Sequence, residues 1–135
     1  MNYTRLALAA VVAWVVSVIY SFAVARWVLF DRIADYPGVF RTAAAVNANL
    51  PLWLLGMLLT MLAVAYIYAK GCQPATRTLS GLGLGSLLGL IAVGAAISEY
   101  VSVNIGRRLA AESAAAAFLE AIIIGVTIGA VYKRA

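Results

Sequence analysis

Three long stretches of this chain carry no charged residue, and a fourth carries only two. Leu6 to Ala25 lies uncharged between Arg5 and Arg26. The second, between Arg41 and Lys70, is apolar from near Pro51 to Ala69. The third, Thr78 to Ser98, lies between Arg77 and Glu99 and continues to about Asn104. The fourth occupies Ala110 to Tyr132, and from Ser113 onward its only charge is Glu120. Crossing a hydrocarbon layer of about 30 Å takes roughly 20 helical residues, so each stretch is long enough. The runs do not alternate between polar and apolar, as barrel strands would. Helices also satisfy every backbone group within one segment, which lipid requires. The expected fold is therefore all-α: an antiparallel four-transmembrane-helix bundle in one membrane domain, residues 1–135. Its helices are expected at about 6–28, 50–69, 78–104 and 110–132, with an interfacial loop at about 29–48.

Composition excludes the soluble alternative. The chain is 65% hydrophobic and 11% charged, with a mean hydropathy of +1.00. Soluble domains run at about 45–50% apolar and roughly 25% charged. The net charge of +5 comes from ten Lys and Arg placed singly or in pairs at the ends of apolar runs. That placement suits headgroup anchoring, so the expected partner is the lipid bilayer and not nucleic acid. One cysteine, Cys72, rules out an intrachain disulfide. The chain has no histidine, which removes bis-His haem, His-containing zinc sites, and Ser-His-Asp or Cys-His catalysis. No nucleophile–base pair or metal-ligand set remains. The expectation is a non-enzymatic protein without cofactor, catalytic residue or metal.

The connections are unequal. The first, "RWVLFDRIADYPGVFRTAAAVNAN", alternates aromatic and charged residues, which suits the membrane–water interface. A short amphipathic helix there would end at the Pro37-Gly38 turn. Pro51 fits the first turn of the second long helix, and Asn49 is expected to cap it. The second connection, "KGCQPATRT", reads as a tight turn, with Gly71 ending a helix and Pro74 preventing its continuation. "AVA" at the end of the first run resembles a cleavage motif, but the large residues after it favour an uncleaved helix. Four helices put both termini on one side. Basic residues divide five against five between the two sides, so they do not set the orientation. The acidic residues favour termini in the cytoplasm, at the inner membrane.

Small residues recur every fourth position in three of the helices. The first gives Ala9, Ala13, Ser17, Ser21 and Ala25. The third gives Gly81, Gly85 and Gly89, and the fourth gives Ser113, Ala117, Ala121, Gly125 and Gly129. Residues four apart share a helix face, and small faces let helices approach closely in lipid. The second helix offers only Gly56 and Thr60 and is expected to pack least tightly. The stripes serve packing within the chain, or else contact another protomer or a partner subunit. "GLGLGSLLGL" lacks the G-x-G-x-x-G spacing, the preceding strand and the lysine of a phosphate-binding loop, so it also reads as a packing face.

Two carboxylates are candidate site residues. Glu99 lies toward the end of the third helix, and pairing with Arg107 or Arg108 is expected for it. Glu120 lies ten residues beyond Ala110, about 15 Å along the helix and near the midplane. A carboxylate at that depth costs a few kcal/mol and must face the bundle or be neutralised. Its candidate polar partners are Ser17, Tyr20, Ser21 and Thr60, with Thr127 farther along its own helix. Three roles remain open: a hydrogen-bonded strut, a contact to another membrane subunit or a bound lipid, and a proton- or ion-handling site.

A long first connection, a second helix closing in "AYIYAKG" (Ala65 to Gly71) and a glycine-rich third helix carry a resemblance. The chain resembles small bacterial four-helix integral membrane proteins of uncharacterised families, which implies the fold and no activity. It is similar to small multidrug-resistance transporters only in helix number and size: their membrane glutamate is in the first helix, and here that helix has none. A quinone-linked thiol oxidoreductase would need Cys-x-x-Cys, which is missing here. The leading expectation is thus a structural or accessory subunit of a membrane assembly. The alternative is a homo-oligomeric proton- or ion-coupled transporter or channel using Glu120, with Glu99 as second acid.

Overall fold

The computed structural model of the protein describes residues 2–71 and 77–132. Among the described residues the only regular structure is helical. Helix α1 spans Tyr3–Val24 and begins at Asn2, whose side chain accepts the Arg5 N–H at 3.1 Å. Without a break it continues through a π-helical turn, Ala25–Leu29, into the short α2, Phe30–Ala34. The chain then turns at Gly38, where φ is +86°. Helix α3, Ala43–Ala48, starts at Thr42, whose hydroxyl accepts from the Ala45 N–H at 3.3 Å. Three long helices follow: α4 over Leu50–Gly71, α5 over Arg77–Ser102 and α6 over Arg107–Val131.

Four stretches are long and apolar enough to cross a membrane: Tyr3–Ala34, Leu50–Gly71, Leu79–Ser102 and Arg107–Val131. The chain is all-α with the composition of a multi-pass membrane protein. The first span exceeds its expected end near residue 28, because the π turn carries the helix on where a plain helix was expected to stop. Pro51 does occupy the first turn of α4. Asn49 does not cap α4; its carboxamide N–H donates back to the Ala45 carbonyl at 2.7 Å and closes α3 instead. The expected turn around Cys72 and Pro74 lies outside the described residues.

Helices α5 and α6 meet through their backbones. A Cβ built on Gly85 would lie 2.7 Å from the Ala121 carbonyl oxygen and 2.9 Å from the Ile122 Cα. One on Gly125 would lie 2.7 Å from the Gly85 Cα. Gly81 abuts Gly125, and Gly89 receives the Phe118 ring. Numbers rise along α5 as they fall along α6, so these two helices run antiparallel. Dispersion over such a close contact replaces the hydrophobic drive that lipid does not supply.

Helix α1 bridges α6 and α4, whereas α4 scarcely touches α5. Ala9, Ala10 and Ala13 of α1 join Met61, Val64, Ala65, Tyr68 and Ala69 of α4, Ile124 and Ile128 of α6, and Tyr132 just beyond α6 in one buried cluster. The small contact of α4 is therefore Ala65 and Ala69, one turn apart and almost fully buried, and not Gly56 and Thr60. The sequence reading named only Gly56 and Thr60, although Ala65 and Ala69 share the same spacing of four. Tyr68 stacks edge-on against Tyr132 at 6.1 Å. The Trp14 indole N–H donates to the Leu54 carbonyl at 3.0 Å, tying α1 to the start of α4. The core sits in the half of the bundle nearest the termini, and the helices separate toward the other half.

Gly85→Ala is expected to destabilise the fold by about 1–3 kcal/mol, the cost of overpacking a closed contact. Gly94→Ala, whose Cβ would meet nothing within 4 Å, is expected to be neutral. Unfolding of the two variants in the same detergent, compared with wild type, tests the difference.

Candidate functional site

Ser17 and Ser21 lie one turn apart on α1, so their hydroxyls point the same way. Both donate to Oε1 of Glu120 on α6, Ser21 at 3.1 Å and Ser17 through a short contact. Ser17 is 1% exposed and Ser21 and Glu120 are half-buried. The Tyr20 hydroxyl donates to the Ala116 carbonyl at 2.8 Å, one turn from Glu120. Three α1 hydroxyls thus clamp one turn of α6. Oε2 of Glu120 accepts no hydrogen bond among the described residues.

Glu120 also lines a cleft of about 590 Å3 that opens sideways between α4 and α5. Its floor is formed by Ser17, Ser21, Ala117, Glu120, Ala121 and Ile124 of α1 and α6. Gly56, Met57 and Thr60 line one wall, and Leu88, Ala92 and Ala95 the other. The cleft exists because α4 is held by α1 and α5 by α6, with little between them. The walls mix small residues, Gly56, Thr60, Ala92 and Ala95, with the larger Trp53, Met57, Leu88 and Ile91.

The expected residues divide clearly. Ser17, Ser21 and Glu120 come together. Tyr20 lies beside them but bonds backbone. Thr60 lines the cleft, yet its hydroxyl donates to Gly56 of its own helix at 3.0 Å. Thr127 likewise donates to Ile123 at 2.7 Å. Ala9, Ala13 and Ser17 are buried, as are Gly81, Gly85, Gly89, Ala121, Gly125 and Gly129, while Ala117 is half-buried. These small faces are turned inward and largely filled by other helices of the same chain.

Glu99 does not pair with Arg107 or Arg108. It is exposed on α5, does not line the cleft, and joins no ion pair among the described residues. Arg108 instead bonds Glu112, one helical turn along α6, at 2.9 Å. That i,i+4 partner is nearer than any across the connection. Arg32 of α2 approaches the other oxygen of Glu112 at 3.5 Å, an ion pair without a hydrogen bond. Beside it the Gly106 N–H, at the start of α6, donates to the Tyr36 hydroxyl at 2.9 Å. Sequence reading missed Glu112, although the Arg-x-x-x-Glu spacing at Arg108 was its signal.

Glu120→Gln is expected to keep the fold, since its amide oxygen accepts from both serines. Glu120→Leu leaves two buried hydroxyls unpaired and is expected to cost about 1–2 kcal/mol, the upper range for hydrogen bonds between membrane helices. Ser17→Ala is expected to cost more than Ser21→Ala, because Ser17 is the more buried. Unfolding titrations of the four variants in detergent check this order. No known protein family, curated protein or solved structure matches this chain.

Proposed function

We propose that this small integral membrane protein is a non-enzymatic structural or accessory subunit of an inner-membrane assembly, and that the α4–α5 cleft receives a transmembrane helix of a partner. One observation carries the proposal: the lateral cleft with Glu120 on its floor. Its walls at Gly56, Thr60, Ala92 and Ala95 are low enough for the close approach on which helix association in lipid relies. Oε2 of Glu120 has no donor within the described chain, and a partner helix with a hydroxyl, amide or basic side chain at midplane would supply one. The small-residue stripes lend less support than expected, because other helices of the same chain largely fill them.

The test is co-purification from native membranes in mild detergent. Wild type is expected to bring down a defined membrane partner. Gly56→Trp and Ala92→Trp, which fill the cleft, are expected to release it without lowering the melting temperature by more than a few degrees. A strictly monomeric wild type, or a partner indifferent to both substitutions, overturns the proposal.

A second reading, a homo-oligomeric proton- or ion-coupled transporter or channel, draws on the same open approach to Glu120. It predicts a flux in reconstituted vesicles that Glu120→Gln abolishes while the fold survives. Absence of flux across protons and monovalent ions counts against it.

A further inference from the structure

A second furrow of about 480 Å3 lies at the end of the bundle where α1 leaves and α4 begins. It meets the α4–α5 cleft at Ser21 and Trp53, which line both. Its apolar wall comprises Phe22, Val46, Leu50, Leu52 and Trp53, with Phe22 and Trp53 packed edge-on at 5.9 Å. Its polar rim is Arg41 and Asn49. No carboxylate lines it.

Arg41 is unlike the other arginines of the first connection. Arg32 is engaged by Glu112, and Arg26 lies over the Phe30 ring at 5.6 Å. The Arg41 guanidinium has no carboxylate, carbonyl or ring partner among the described residues. It precedes α3 and lines the furrow together with Trp53 in the first turn of α4. Arginine and tryptophan at a helix end mark headgroup depth. Asn49 uses one carboxamide N–H on Ala45, which leaves its Oδ1 free to accept.

We propose that this furrow binds one molecule of an anionic glycerophospholipid. The phosphate pairs with Arg41, a headgroup hydroxyl donates to the Asn49 Oδ1, and one acyl chain lies along Phe22, Val46, Leu52 and Trp53. Charge selects the headgroup. An unpaired cation with no carboxylate nearby satisfies a phosphate but offers nothing to the ammonium of a zwitterionic lipid. The furrow volume falls within the range of small-ligand sites, and the furrow is open at the surface along exposed Phe22, Val46 and Leu52, which leaves an acyl chain a way in. This site does not depend on the subunit proposal, since it lies beside the cleft and uses a different charge.

The experiment is native mass spectrometry of the delipidated full-length protein, titrated with phosphatidylglycerol and with phosphatidylcholine of identical chains. Wild type is expected to retain one phosphatidylglycerol in preference to phosphatidylcholine. Arg41→Gln is expected to lower phosphatidylglycerol affinity about fivefold, the contribution of one interfacial cation, and so to erase the preference. Arg26→Gln, an exposed arginine of the same connection outside the furrow, is expected to leave it intact. Val46→Trp, which fills the apolar wall, is expected to weaken both lipids. Equal retention of the two lipids by wild type overturns the site. So does a preference that survives Arg41→Gln, or one that Arg26→Gln removes equally. Far-ultraviolet circular dichroism of each variant verifies that helix content is unchanged.

Discussion

Lipid tails are as apolar as leucine, so helices in a bilayer gain little from burying apolar side chains against each other. What remains is how closely two backbones approach. Gly81 and Gly85 of α5 against Ala121 and Gly125 of α6 bring main chain onto main chain, with no space for a single methyl group. Everything else in the fold is arranged around α6. One of its faces is taken by α5, and an adjacent one presents Glu120 and the Ala116 carbonyl to α1. Helix α1 in turn carries α4 through its alanines. The order in space is therefore α5, α6, α1, α4, a row whose two ends do not close on each other.

The carboxylate follows from the same economy. A charge near the midplane is tolerated only where polar groups meet it, and the nearest helix supplies two serines one turn apart. Their hydroxyls leave α1 with a small face that α6 can approach, and they give Oε1 two donors. A larger polar residue at either position would have satisfied the acid and pushed the helices apart. The Ser-x-x-x-Ser spacing thus does two jobs: it packs as alanine would, and it binds as a polar residue must.

Much of this was legible in the sequence, and the limits have physical causes. The four helices followed from run length, because lipid admits few alternatives. Ser17 and Ser21 could be named as partners of Glu120, because depth along a helix is set by a fixed rise per residue. Tyr20 and Thr60 matched in depth too, but depth does not give azimuth. Thr60 turned its hydroxyl to its own backbone, as threonine in a helix readily does. Glu99 was assigned a partner across a connection, whereas Arg108 took the closer Glu112 on its own helix. The π turn after α1 left no mark in the pattern, since residues 25–29 read as ordinary helix. The gap between α4 and α5 was invisible for a different reason: both flanking faces are apolar, and an apolar face reads the same toward lipid, ligand or protein.

The extended end of α1 explains why the open half keeps its form. Beyond the π turn, α2 reaches across to the start of α6. There Arg32 meets Glu112, and the Tyr36 hydroxyl accepts from Gly106. At midspan α1 and α6 are already joined by Ser17, Ser21 and Tyr20. The pair forming the cleft floor is therefore tied at two levels, while α4 is held mainly by α1 and α5 mainly by α6. A floor fixed in this way holds Glu120 at one depth between α1 and α6. Closing the cleft would require α4 to leave the Trp14–Leu54 bond and the packing of Ala65 and Ala69 in the core cluster, or α5 to leave its glycine seam. Each of the two helices is already held by a neighbour on its other side, so the cleft is a consequence of the packing that stabilises the rest of the molecule.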